Sequence, residues 1–290
     1  MTQATLFDSR TCILGEGPLW HPLRKQYYWF DIMGKKLLTL GADGPKEWSF
    51  DEHVSAAGWV SENELLIASQ TALFLFDLNS GKTVRKLCHL EADDAITRSN
   101  DGRADTYGGF WIGTMGINAE TNAGAIYRYY KGELRRLYSD ISISNSICFS
   151  PEGAYAYYSD TAEKAIRRQK LNPKDGWPTG SSELWLDLSK EGINPDGSVI
   201  DMRGYLWNAQ WGLNRIACYN PDGVLLETVA CPEASQTSCP AFGGEGLTDL
   251  LITTARVGLS AEILEKEPMA GATFLAKDVA KGQQENQVIL

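Results

Sequence analysis

Four short stretches of this chain place an oxygen-bearing side chain beside glycine, serine or proline, directly ahead of an apolar run: ILGEGPLW with Glu16, TRSNDGRAD with Asn100 and Asp101, ISISNSICF with Asn145, and INPDGSVID with Asp196. Two carboxylates and an amide oxygen gathered in a partly dry channel would repel one another unless a cation held them. Such an all-oxygen set suits one hard divalent ion, calcium first, with magnesium, manganese or zinc as alternatives. Glycines on both sides of Glu16 let the backbone turn sharply and leave the carboxylate free to point inward. Arg98, two residues before Asn100, can reach over the same site to an anionic or polyhydroxylated ligand. Taken singly, each fragment reads equally well as an ordinary turn, Asn-Pro-Asp-Gly and Asn-Asp-Gly above all. The three histidines, His21, His53 and His89, lack metal-binding spacing and read as surface or core, although His53 lies close enough to a strand entry to reach the site.

What could bring residues so distant together is an internal repeat. Runs rich in aromatic and β-branched residues recur, namely YYWFDI from Tyr27, LLIASQ from Leu65, FWIGTM from Phe110, YAYYSD from Tyr155, YLWNAQ from Tyr205 and LLITTA from Leu250. Their spacing of roughly 38 to 50 residues is that of a four-stranded propeller blade. Six runs lead to an all-β, six-bladed propeller occupying 1–290 as one domain. Around each run lie a weaker strand before and a third strand after, with Pro-Glu-Gly, Asn-Ser-Gly, Lys-Gly-Glu and Pro-Asp-Gly at the reversals.

In such a ring the innermost strands start near the axis, so polar residues at their entries converge. Glu16, Asn100, Asn145 and Asp196 all stand just before the first strand of a blade, and this shared phase carries the functional reading. Asp201, in SVIDMRG, reads as the turn between the first two strands, and Trp29, Trp111 and Trp207 as core. Open edges at the two ends of the ring need closing. The strand-like ATLFDSRTCIL from Ala4 and GATFLAKDV from Gly271 are expected to share one blade, and SAEILEKEP from Ser260 is the best short helix.

Composition excludes several classes. A hydrophobic fraction of 43% with 22% charged residues is that of a soluble globular protein. No apolar run reaches the length of a membrane span. The start, MTQATLFDSR, lacks a signal-like pattern, which favours the cytoplasm. A formal charge of −10 argues against nucleic-acid or anionic-membrane partners. The six cysteines, scattered without a CxxC pair, read as reduced and mostly buried. A monomer or a weak homodimer is expected.

LGEGPLW, RSNDGRAD, WIGTM, ISNSICFSPEG, NPDGSVID, LWNAQW and AFGGEGLTDLLITTAR resemble, in order and spacing, the regucalcin/gluconolactonase (senescence marker protein) family of six-bladed propeller lactonases, from about Glu16 to Arg256. The resemblance implies Glu16, Asn145 and Asp196 as ligands of the divalent metal, Asp196 also as general base, Arg98 and Asn100 as a substrate-orienting pair, and a sugar lactone as substrate. Ile117 stands where some animal members carry a Glu, so the contacts on that side of the pocket differ. Two rival readings are a phosphotriesterase-like hydrolase on the same architecture and a non-enzymatic calcium-binding protein.

Overall fold

A computed structural model describes residues 2–290. Its sheets are six antiparallel blades: 15–49, 54–89, 97–141, 144–187, 194–230 and 237–276. The innermost strand of each blade contacts the innermost strands of its two neighbours, and the sixth contacts the first, which closes the ring. The six aromatic runs are the second strands, such as Gln26–Asp31 and Phe110–Gly116. Period-2 alternation explains their composition, because successive side chains leave opposite faces of a strand that is covered on both. Tyr28 and Phe30 pack toward blade 2 with Leu65 and Ile67, while Tyr27 and Trp29 pack toward blade 6 with Leu251.

Closure follows the expected plan. Thr5–Asp8 pairs antiparallel with Thr273–Ala276 as the outer strand of blade 6. One addition was not foreseen: Thr2–Gln3 runs parallel to Leu225–Ala230, adding a fifth strand to blade 5. The helix in the 260s spans Ala261–Lys266, and Ser260 caps it by accepting from Ile263 N at 3.3 Å. All six cysteines are unpaired, five of them buried. Among the described residues no helix is long and apolar enough to cross a membrane.

Asp201 does make a turn, and it does so with a device that blade 3 repeats. Asp201 accepts from Arg203 N, Tyr205 N and Trp207 Nε1, while Asp105 accepts from Tyr107 N, Gly109 N and Trp111 Nε1. Each carboxylate thus pins a core tryptophan, in the shared pattern Asp-x-x-Gly-x-x-Trp. Asp105 also receives Arg128 Nε at 2.6 Å; both side chains are fully buried, and the guanidinium lies over Tyr130 and Trp177. Arg203, by contrast, is 49% exposed.

The last residues cross the channel mouth at the far ends of the innermost strands. Gln283 donates to Phe149 O and Ile200 O, Asn286 to Ala104 O, and Val288 N to Trp59 O. Glu285 enters the channel and pairs with buried Arg103. The opposite mouth is left open.

Removing one partner of a buried pair strands the other charge. Asp105→Ala is therefore expected to lower unfolding free energy by about 3–5 kcal/mol, and Asp201→Ala by clearly less because Arg203 can turn to water. Urea denaturation of both variants checks this, and equal losses would contradict it.

Candidate active site

The sequence-derived residues come together. Glu16, Arg98, Asn100, Asn145 and Asp196 all line one cavity of about 430 Å³ at the open mouth. Their exposures are 5% or less. They sit inside the innermost strands, and not, as expected, in the loops that lead to them: Glu16 in Gly15–His21, Arg98 and Asn100 in Thr97–Ala104, Asn145 in Ser144–Phe149 and Asp196 in Asn194–Ile200. Every one of these strands loses register at that point, between Glu16 and Leu19, Ser99 and Gly102, Asn145 and Cys148, and Pro195 and Ser198. A bulge rotates a side chain away from the pleat. Here four bulges turn polar groups, which would otherwise be trapped between blades, toward the axis.

The two glycines around Glu16 have different reasons. A Cβ on Gly15 would run into Thr254 O of blade 6, so this position permits close approach. Gly17 has φ +52°, and a Cβ there would strike Ser55 O. Ser146, which follows Asn145, takes the same left-handed conformation at φ +59° without being glycine. Its hydroxyl donates to Asp196 O at 2.6 Å and accepts from Ser198 Oγ at 3.0 Å, contacts that compensate the strain.

One hydrogen-bonded chain fixes which way the amides face. Arg98 Nη1 donates to Asn100 Oδ1 (2.8 Å), Asn100 Nδ2 to Asn145 Oδ1 (3.1 Å), Asn145 Nδ2 to Thr161 Oγ1 (2.8 Å), and Thr161 Oγ1 to Pro195 O (2.7 Å). A guanidinium can only donate and a peptide carbonyl can only accept, so the direction is set at both ends. Asn145 therefore presents its oxygen, not its NH₂, on the side of Asn100.

The carboxylates are under electrostatic stress. Burial raises the Glu16 carboxyl above its ordinary range, and nearby Asp101 raises it further. Burial and then the charge of Glu16 raise Asp196. Asp101 is pushed up to about 6 by burial, against the Ile147 N–H and Arg103. Arg98 supplies partial balance; burial lowers its guanidinium to about 10 and the two carboxylates pull it back up. Among the described residues Glu16 Oε2 has one donor, its neighbour Gly17 N at 3.0 Å. Two stressed carboxylates and one locked amide oxygen are a donor set that fits a hard dication.

Sequence reasoning missed the groups that hold these residues. Asp31 accepts from Ile13 N and Leu14 N, just ahead of Glu16, and Asp160 accepts from Ser142 N and Ile143 N, just ahead of Asn145, all at 2.8–3.0 Å. Both end an aromatic run, in YYWFD and YAYYSD, and lie at one offset from the residue they serve. At the same offset from Asn100 and Asp196 stand Met115 and Trp211, which line the cavity wall with Ile117. Thr161 was likewise unforeseen. His53 bonds to Gln70 and is not among the cavity-lining residues, while His21 is buried against Ser61 O. A larger cleft of about 660 Å³, around Glu91, Tyr127 and Arg136, contains none of the five residues.

Comparison with known proteins bears on the family and the fold. The model of the SMP-30/gluconolactonase/LRE-like region matches residues 14–256. An L-arabinolactonase of Azospirillum brasilense is 38% identical over 95% of this chain and 92% of its own length. A 6-deoxy-6-sulfogluconolactonase of Pseudomonas putida is 32% identical, covering 91% of each chain. The crystal structure of a calcium-binding protein, regucalcin, from Agrobacterium tumefaciens superposes with a TM-score of 0.96 at 37% identity, over 100% of this chain and 98% of that one. With bulged innermost strands, converging oxygens and a family match across nearly all the blades, the chain belongs to the SMP-30/gluconolactonase/LRE-like family.

Proposed function

We propose that this protein is a divalent-metal-dependent lactonase that opens a sugar lactone to the corresponding sugar acid. The observation that carries the proposal is the locked Asn145 oxygen in one cavity with the buried Glu16 and Asp196, beside Arg98 and Asn100. Glu16, Asn145 and Asp196 would hold the ion, with calcium the first candidate. The similarity to a calcium-binding regucalcin supports that choice, and the similarity to an L-arabinolactonase supports the reaction.

A bound dication supplies positive charge for the lactone carbonyl oxygen as it gains negative charge during attack. The other roles belong to the chain itself. Asp196 takes a proton from the attacking water and returns it to the ring oxygen as the C–O bond breaks, so the products are one carboxylic acid and one freed hydroxyl. Arg98 and Asn100 face the same cavity and orient ring hydroxyls, so that the carbonyl meets the water and not the wall. A simple ion store would have no use for a substrate-sized cavity lined by a guanidinium, which sets the non-enzymatic calcium-binding reading behind this one.

Two outcomes follow. Metal-free protein should bind one Ca²⁺ per chain in calorimetry, and Glu16→Gln should weaken that binding at least about tenfold, since a ligand counts for no less than the groups that support it; unchanged affinity would remove Glu16 from the ion. In metal-supplemented buffer Asp196→Asn should cut kcat for lactone hydrolysis about 10²–10⁴-fold, while Arg98→Ala should act mainly on KM. Wild-type turnover by Asp196→Asn in a pH-indicator assay would refute the general-base role.

A further inference from the structure

A carboxylate offers oxygen whichever way it turns, whereas an amide rotated by half a turn offers NH₂, which repels a cation. Glu16 and Asp196 therefore need placing but no orienting. Asn145 needs both. Asn100 is oriented by Arg98 Nη1, but its own hold on Asn145 is the looser one, because Asn100 Nδ2 already donates to Ser144 O at 2.8 Å and reaches Asn145 Oδ1 at 3.1 Å. The tighter hold is at the other end of the amide, where Asn145 Nδ2 meets Thr161 Oγ1 at 2.8 Å.

One residue beyond the offset that carries the Asp31 and Asp160 clamps, the four site blades read Ile32, Gly116, Thr161 and Gly212. Of these four positions, the hydroxyl stands in the blade that supplies Asn145. Its backbone is pinned: Thr161 N donates to Ile143 O at 3.0 Å, and Asp160 before it accepts from Ser142 N, Ile143 N and Ala162 N. The single hydroxyl proton goes to Pro195 O at 2.7 Å, which leaves a lone pair for Asn145 Nδ2. A flipped Asn145 would set its oxygen against that lone pair and its NH₂ against the NH₂ of Asn100. We infer that Thr161 is a positioning residue that selects the oxygen-forward state of Asn145 before an ion arrives, and thereby sets the affinity for the dication. The inference rests on the metal-binding part of the reading above and adds to it what orients the one neutral ligand.

Calorimetric titration of the metal-free full chain with Ca²⁺ tests this. Thr161→Val keeps the shape and removes both hydroxyl bonds, and should weaken Ca²⁺ binding about 10–100-fold, while Thr161→Ser keeps the hydroxyl and should recover most of the affinity. In an Asn145→Asp background no orientation is needed but the tie to Pro195 O remains, so Thr161→Val should there cost at least about fivefold less. Unchanged affinity in folded Thr161→Val, or equal losses in the two backgrounds, overturns the inference. A second readout needs no metal. The Asn145 side-chain NH₂ protons, assigned in NMR spectra by their loss in Asn145→Asp, should exchange slowly with water in the wild type and in Thr161→Ser, and quickly in Thr161→Val, or in Thr161→Ala should the valine variant fail to fold. Fast exchange in the wild type, or slow exchange that ignores the hydroxyl, overturns the inference whatever the ion does. A wild type that takes up no Ca²⁺ yet shows hydroxyl-dependent exchange would sink the metal reading and leave the orienting role of Thr161 standing.

Discussion

The structure is organised around two carboxylates, Glu16 and Asp196, buried at the axis of a closed ring with too little positive charge beside them. A fold does not hold like charges out of water without compensation. Arg98 provides part of it, and the dication proposed above would supply the rest. Four of the six register shifts in the inner strands fall at residues of this site.

The supports form layers. Bulges in four blades aim the side chains. A chain of hydrogen bonds from Arg98 through Asn100, Asn145 and Thr161 to Pro195 O ties three blades together and removes the rotational freedom of two amides. Asp31 and Asp160 hold the backbone ahead of Glu16 and Asn145. Below these lie hydroxyls on the inner strands, among them Ser55 bonded to Ser99, Ser146 to Ser198, and Ser238 to Gly15 O. The C-terminal strap, anchored by Arg103 and Glu285, crosses the other mouth, so the cavity communicates with solvent from one side.

Much of this was legible in the sequence, and the reason is the repeat. Second strands buried on both faces are apolar along most of their length, so they stand out at blade spacing, and the phase of Glu16, Asn100, Asn145 and Asp196 follows. Three things were not legible. Bulges depend on the pairing partner, so the site residues were placed before the strands instead of within them. The Asp31 and Asp160 clamps act on main-chain N–H groups, which no side-chain pattern reveals, even though both close an aromatic run. The parallel pairing of Thr2–Gln3 with blade 5 depends on where the chain enters the closed ring, a tertiary fact.

The central claim concerns where a dication goes. Crystals grown without metal and then exposed to calcium, with anomalous diffraction collected beforehand and afterwards, test it most directly. The account expects one new peak on the axis, within coordination distance of Glu16, Asn145 Oδ1 and Asp196, and no rearrangement of the chain of bonds from Arg98 to Pro195 O. An axis with no peak under saturating calcium, or a peak confined to the acidic cleft around Glu91, would contradict it.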